Sequence, residues 1–236
     1  MVKLKPIDSL PIDPLESRRL RIVLATIVIN VAAVALLALA PWSDWKTGLA
    51  LNLFDNTLLL GFVVLYRDAW LVRLMIFGLA TGFAELAADA WLVDFTRTLD
   101  YSAGGGPMLW RSPIWMPIAW EIVTVQFGCL GLWLRGRFGN AGLAAVGVLG
   151  AINIPYYEEM ARRIHWWQYS GCRMISNTPY YIILGEFGIA IALTLLAKPL
   201  RHGNAAKPLL LGAGGGAAIF ICYALAYGIT DAFNHR

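Results

Sequence analysis

Apolar residues run along this chain in long blocks separated by short polar ones. Seven blocks are long enough to cross a bilayer as helices: 22–40, 48–66, 69–95, 114–134, 139–157, 179–197 and 208–229. About twenty mostly apolar residues suffice, at about 1.5 Å of rise each. The expected fold class is therefore all-α, a polytopic membrane bundle of about seven transmembrane helices. Residues 1–20, with Pro6, Pro11 and Pro14, are expected as an extended tail, 21–231 as a single transmembrane helical domain, and 232–236 as a C-terminal tail. The second block carries Asn52, Asp55 and Asn56 and also fits a re-entrant or partly buried segment. Pro117 falls in the first turn of the fourth block, where a missing N–H costs little. The loop before it contains the run Gly104–Gly106, which argues against regular structure there. After the fifth block comes the segment EEMARRIHWWQYSGCRMISN, expected as a long polar and aromatic loop.

Composition supports the membrane class. The chain is 58% hydrophobic and 14% charged, with a mean hydropathy of +0.61, where soluble domains carry about 25% charged residues. A formal charge of +4 does not suggest nucleic acid, because the basic residues lie between the apolar blocks. No secretory signal peptide is expected, since residues 1–20 are polar and Pro-rich. Cys129 and Cys222 fall in apolar blocks and Cys172 in a loop, which indicates neither a disulfide framework nor a CxxC metal site. With the N-terminus inside, twelve Lys and Arg lie on the inner side and seven on the outer. The positive-inside rule then places the N-terminus in the cytoplasm and the C-terminus outside an inner or plasma membrane.

That orientation makes the acidic residues informative. Glu85 and Asp89 stand four residues apart, on one face of the third helix. Together with Asp55, Glu121 and Glu186 they fall roughly 9–15 Å below the outer boundary, reached from helices running in both directions. Asn153, Glu158 and Glu159 lie at the outer end of the fifth helix. The pattern describes an acidic cup in the outer leaflet. For any single buried carboxylate, hydrogen-bonded helix glue explains it as well as function does. Five at one depth favour function. None is taken as ionised, since removing a carboxylate from water is costly and a like-charged neighbour adds to the cost. A protonated carboxylic acid is a competent general acid, and a neighbouring carboxylate a base or charge stabiliser.

Aromatic residues crowd the same level. Most of them, including Trp110, Trp115, Tyr180 and Tyr181, fit an interfacial belt. Trp120 beside Glu121 and Trp91 beside Asp89 lie deeper, where aromatic faces would suit a substrate passing through a carbocation. Residues expected to contact substrate are Asp55, Trp91, Trp120, Asn153, Tyr157, Trp166 and Glu186. His165 reads as a headgroup-level side chain, and no HExxH or clustered His set marks a metal site. The pair Glu158–Glu159 next to Arg162 and Arg163 reads as a solvated i,i+4 charge network. Gly212-x-x-x-Gly216 permits close helix packing, within the bundle or between copies as a homo-oligomer. No lysine lies in the seventh block, so a retinal Schiff base of the rhodopsin type is excluded.

One succession of motifs runs through residues 80–190. It begins with Glu85, a Tyr101 and Gly104–Gly106 loop, and Pro113-Ile-Trp-Met-Pro-Ile-Ala-Trp-Glu121. Asn153 and Pro155, then HWWQY, and Asn177-Thr-Pro179 complete it. The succession resembles the small integral-membrane carotenoid hydratases and the related lycopene cyclase and membrane terpene cyclase groups. Those groups protonate a double bond or epoxide of a long isoprenoid with acidic residues. The resemblance implies Glu85 and Glu121 as acid/base residues, Asp89 in support, and neither metal nor cofactor. The expected function is acid-initiated cyclisation, hydration or isomerisation of an apolar isoprenoid-type substrate, an isomerase or lyase chemistry. The main alternative is a binding or transport protein whose carboxylates relay protons or hold a solute. A structural subunit of a larger membrane complex is a third.

Overall fold

The computed structural model describes residues 14–202 and 206–231. Seven helices follow one another: α1 (Pro14–Leu37), α2 (Trp45–Tyr66), α3 (Ala69–Ala90), α4 (Met116–Phe138), α5 (Asn140–Arg163), α6 (Tyr180–Ala197) and α7 (Ala206–Thr230). Six of them are long and apolar enough to cross a membrane, and α2 is among them as a continuous helix. The remaining helix, α5, is 24 residues long but carries Asn153, Glu158, Glu159, Arg162 and Arg163 in its second half. The fold is an all-α bundle, and the chain is an integral membrane protein whose outer faces meet the lipid bilayer.

Two helix boundaries and one loop differ from expectation. Helix α1 begins at Pro14, inside the segment expected as tail, because proline's fixed φ suits a first helical turn. The rest of the expected N-terminal tail and the segment 232–236 lie outside the described residues. Helix α5 runs on to Arg163, past its expected end at residue 157. The loop with Gly104–Gly106 also contains regular structure, in short pieces: β1 (Leu99–Asp100), β2 (Met108–Leu109) and β3 (Ser112–Pro113).

Helix α3 is the centre of the bundle and packs most extensively on α7 and α4. Glycine makes both approaches close. A Cβ on Gly82 would stand 2.2 Å from the Pro117 carbonyl oxygen of α4, and one on Gly216 would stand 2.4 Å from the Ala84 Cβ of α3. Gly212 meets Ala80 and the Phe77 carbonyl in the same seam. The Gly212 and Gly216 face is thus covered by α3 of the same chain and is not a surface for a second copy. A small-residue stripe fits either use, and only the fold decides which neighbour it meets.

At one end of the bundle Asp68 caps α3, accepting from the Trp70 and Leu71 amides at 3.1 and 3.0 Å. Its other oxygen takes the Nε of Arg19 from α1, and both side chains are buried. At the opposite end, the segments 97–115 and 164–179 meet as a cap. Strand β1 pairs antiparallel with β4 (Gln168–Tyr169), with Leu99 opposite Tyr169 and Asp100 opposite Gln168. Two further hairpins complete it, β2 with β3, and β5 (Met174–Ile175) with β6 (Thr178–Pro179). The amide of Ser102 hydrogen-bonds Asp100 at 2.7 Å and holds its carboxyl below the usual range.

Candidate functional site

Under the cap lies a cavity of about 300 Å³, at the lower end of the range for small-molecule sites. It follows α4 from Trp115 to Leu130, about 22 Å at about 1.5 Å per residue. Three carboxylates line it: Asp89 from α3, Glu158 from α5 and Glu186 from α6. Glu158 stands close enough to feel the charge of both others. No Lys, Arg or His is among the lining residues.

Each carboxylate is held by donors from a different part of the chain. Asp89 Oδ2 accepts from the Tyr101 hydroxyl and from Ser112 Oγ, both at 2.7 Å. Both donors come from the cap, and the tight β2–β3 hairpin, with Trp110 at φ 57°, is what turns Ser112 inward. Burial pushes the Tyr101 phenol well above its ordinary range, so it remains a donor. Glu158 accepts from Trp167 Nε1 at one oxygen and from the Tyr169 hydroxyl at the other, the latter at 3.3 Å. Tyr169 is likewise kept protonated by burial. Glu186 Oε1 accepts from Tyr223 of α7 at 2.6 Å. The arrangement engages both oxygens of Glu158 and one oxygen of Glu186, which also lines the cavity.

The roof is aromatic. Trp115, Trp166 and Trp167 form a cluster with ring centroids 5.3–6.1 Å apart. Trp166 Nε1 donates to the Asp44 carbonyl at 3.0 Å and fastens the roof to the start of α2. Gly104 permits the two cap segments to touch, since a Cβ there would stand 2.9 Å from the His165 carbonyl. His165 itself is exposed, at φ 64°, and does not line the cavity.

All five carboxylates expected at a common depth are buried, but the bundle sorts them. Asp89 and Glu186 line the cavity, with Trp120, Asn153, Tyr157 and Trp166. Glu85 does not line it. Its carboxylate is sealed in the wall, beside Asp89 on the next turn and Trp120 of α4, without a well-formed hydrogen bond. Glu121 also lies outside the lining and reaches toward Asn56 of α2. One residue advances a helix by about 100°, so with Trp120 turned to the cavity its neighbour is carried off that face. Asp55 is fully buried beside Asn30 of α1, behind the lining residue Asn52. Trp91 is absent from the lining. It begins a π-helical turn (Trp91–Thr96), stacks on Phe95, and meets Phe220 at a tilt and Tyr227 edge to face.

Glu158 departs from the solvated network that its neighbours Arg162 and Arg163 suggest. Glu159 does pair with Arg162 and Arg163, at 2.9 and 2.8 Å, but Glu158 is 3% exposed and belongs to the site. The signal was the buried stripe of small residues on α5, Val146, Gly147, Gly150 and Ala161, whose face Glu158 continues. Tyr101, Ser112 and Tyr223 carried no such signal, because each is brought in by tertiary pairing. Among the described residues, no group of three His, Cys, Asp or Glu side chains is arranged to hold a metal ion.

No curated protein and no solved structure matches the chain. The last five residues of α3, which include Asp89, and everything from there through α7 fall within one recognised segment. Residues 86–230 match the family model described as a domain of unknown function, DUF6989, and the chain belongs to that family.

Proposed function

We propose that this cavity is the site of an acid-initiated cyclisation, hydration or isomerisation of a neutral, apolar substrate of isoprenoid type. The observation that carries the reading is the lining itself: three buried carboxylates in one aromatic-roofed cavity, with no cationic side chain among the described residues that line it. In this reading Asp89 is the proton donor. Tyr101 and Ser112 both donate to its Oδ2, which leaves Oδ1 to carry the transferable proton and stabilises the carboxylate formed after transfer. Glu85, which sits behind it and feels the charge of Glu186 as well, returns to Asp89 the proton that Glu186 removes later in the cycle, so each turnover is proton-neutral. The proton adds to a double bond or epoxide, and the resulting cation is faced by the indole rings of the roof and by Glu158. Glu186, a lining carboxylate held by Tyr223 through Oε1 alone, takes a proton from carbon in cyclisation or isomerisation, or from attacking water in hydration. No metal or cofactor enters this scheme, and the resemblance to membrane isoprenoid cyclases and hydratases points to the same chemistry.

The same carboxylates would serve a proton relay or a solute carrier, and the lipid fraction that co-purifies with the protein separates the two. Mass spectrometry of that fraction should show a neutral polyene or prenylated ring compound enriched over bulk lipid. Phospholipids alone, in bulk proportion, would count against the enzyme.

We further place the N-terminus and the 135–139 turn in the cytoplasm, and the cap and cavity in the outer leaflet of the inner or plasma membrane. The distribution of Lys and Arg supports this. In a Cys172→Ser background, cysteine introduced at the exposed Ser170 should react with a membrane-impermeant maleimide in intact cells, and cysteine at Gly136 should not. The reverse pattern would turn the protein over and put the cavity in the inner leaflet.

A further inference from the structure

Resting on that reading, we infer that the cavity is filled sideways from the bilayer, through a slot between α1 and α5, by a neutral lipid with one long apolar chain. The floor of the slot is a stripe on α4: Val123, Gln126, Phe127 and Leu130, spaced i, i+3, i+4, i+7. All four line the cavity and all four are only half-buried. On the α5 side, Leu149 and Asn153 line the cavity and are at the same time exposed on the outside of the bundle. Residues that share an interior cavity and an outer surface mark its mouth. Ile27 and Asn30 of α1 face them across the slot, again lining and only half-buried. The other route is closed by the three tryptophans and the bond from Trp166 to α2.

The chemistry of the lining selects the ligand. An anionic head would meet Asp89, Glu158 and Glu186 without a cation among the lining residues to offset them, which is costly in a dry site. The amide of Asn153 can instead hydrogen-bond a hydroxyl, carbonyl or epoxide oxygen, as can the second N–H of Asn52 and of Gln126, whose first N–H goes to the Gly48 carbonyl and to Thr26 respectively. The apolar chain lies along the α4 stripe toward the lipid. A latch crosses beside the mouth: the Tyr156 hydroxyl of α5 donates to the Val31 carbonyl of α1. Its ring meets Tyr157, a lining residue, edge to face at 5.6 Å.

The test is uptake of all-trans-retinol by the full chain in nanodiscs, followed by energy transfer from the cavity tryptophans, with all-trans-retinoic acid as the anionic probe of equal chain. Retinol should quench saturably at pH 8 and the acid should not. Leu149→Tyr and Asn153→Tyr, which fill the mouth from a lipid-facing surface, should each slow uptake about tenfold without lowering the melting temperature. Ile152→Tyr, on the lipid side of the same helix, should change nothing. Tyr156→Phe opens the latch and should speed uptake about threefold, within what one hydrogen bond supplies. No saturable quenching by retinol, or unchanged rates in both tyrosine variants, would overturn the lateral route, and equal binding of the acid would overturn the neutral ligand. The acid chemistry fails separately: if Asp89→Asn keeps both uptake and conversion, the slot stands and the catalytic reading falls.

Discussion

Asp89→Asn is expected to leave the protein folded and to lower turnover about 10²–10⁴-fold, the range for losing a general acid. The fold should survive because the amide oxygen can still accept from Tyr101 and Ser112, the two donors that now hold Oδ2. The substitution removes only the proton. Glu186→Gln should act in the same direction if it is the base, and the double variant should be little worse than either single one, since parts of one catalytic unit are not additive. Glu121→Gln is the internal comparison. Its side chain reaches Asn56 of α2 and does not line the cavity, so activity should stay within about twofold, the scale of a lost helix contact. Conversion of an isoprenoid by purified protein, set beside melting temperature in the same detergent, decides the matter. Full activity in Asp89→Asn would remove the acid from the site, and a large loss in Glu121→Gln alone would move it to the α2 side of α4.

The second large effect concerns the seam that holds α3 in place. Gly82→Ala should cost about 3 kcal/mol or more, at the upper end for overpacking a tight core. The new methyl would stand 2.2 Å from the Pro117 carbonyl oxygen and 2.7 Å from the Pro117 Cα, both backbone atoms that no side-chain rotation can move. Helices α3 and α4 would have to separate, and Asp89 and Trp120 would separate with them, so turnover should fall together with stability. Gly214→Ala on α7 provides the contrast. Nothing lies within 4 Å of a Cβ at that position, and alanine's better helix propensity should leave stability unchanged or raise it by up to about 1 kcal/mol. Equal melting temperatures in the two variants would show that the seam is looser than the contacts at Gly82 require.

The helices were legible because about twenty apolar residues in a row admit little else, and the depth of each carboxylate followed from counting along a helix. What counting along the axis could not supply was the direction around it. Asp89 and Glu186 point inward, whereas Glu121, at nearly the same depth, points to α2. That difference depends on which neighbour α4 meets on each side, and the glycines that decide it are spread over three helices. Glu158 was concealed in another way. A polar run beside two arginines looks like solvent-exposed helix end or loop, and only the packing of α5 on α6 turns Glu158 in while Glu159 stays out. The cap was illegible for the commonest reason: strands of two residues carry no periodicity, and Leu99 finds its partner Tyr169 seventy positions along the chain.

The uneven packing of the helices has a consequence for how the molecule comes apart. Within the apolar windows of α3 and α4, 56% of the residues are buried, against 17% in α1 and 22% in α2. The first two helices therefore form a unit of low local stability clipped to a rigid block, by the Arg19–Asp68 pair at one end and by Trp166 at the other. On gentle heating, amide exchange should accelerate in α1 and α2 while α3, α4 and α6 stay protected. The block that remains would still hold Asp89, Glu158 and Glu186 in register, with one wall of their chamber replaced by lipid.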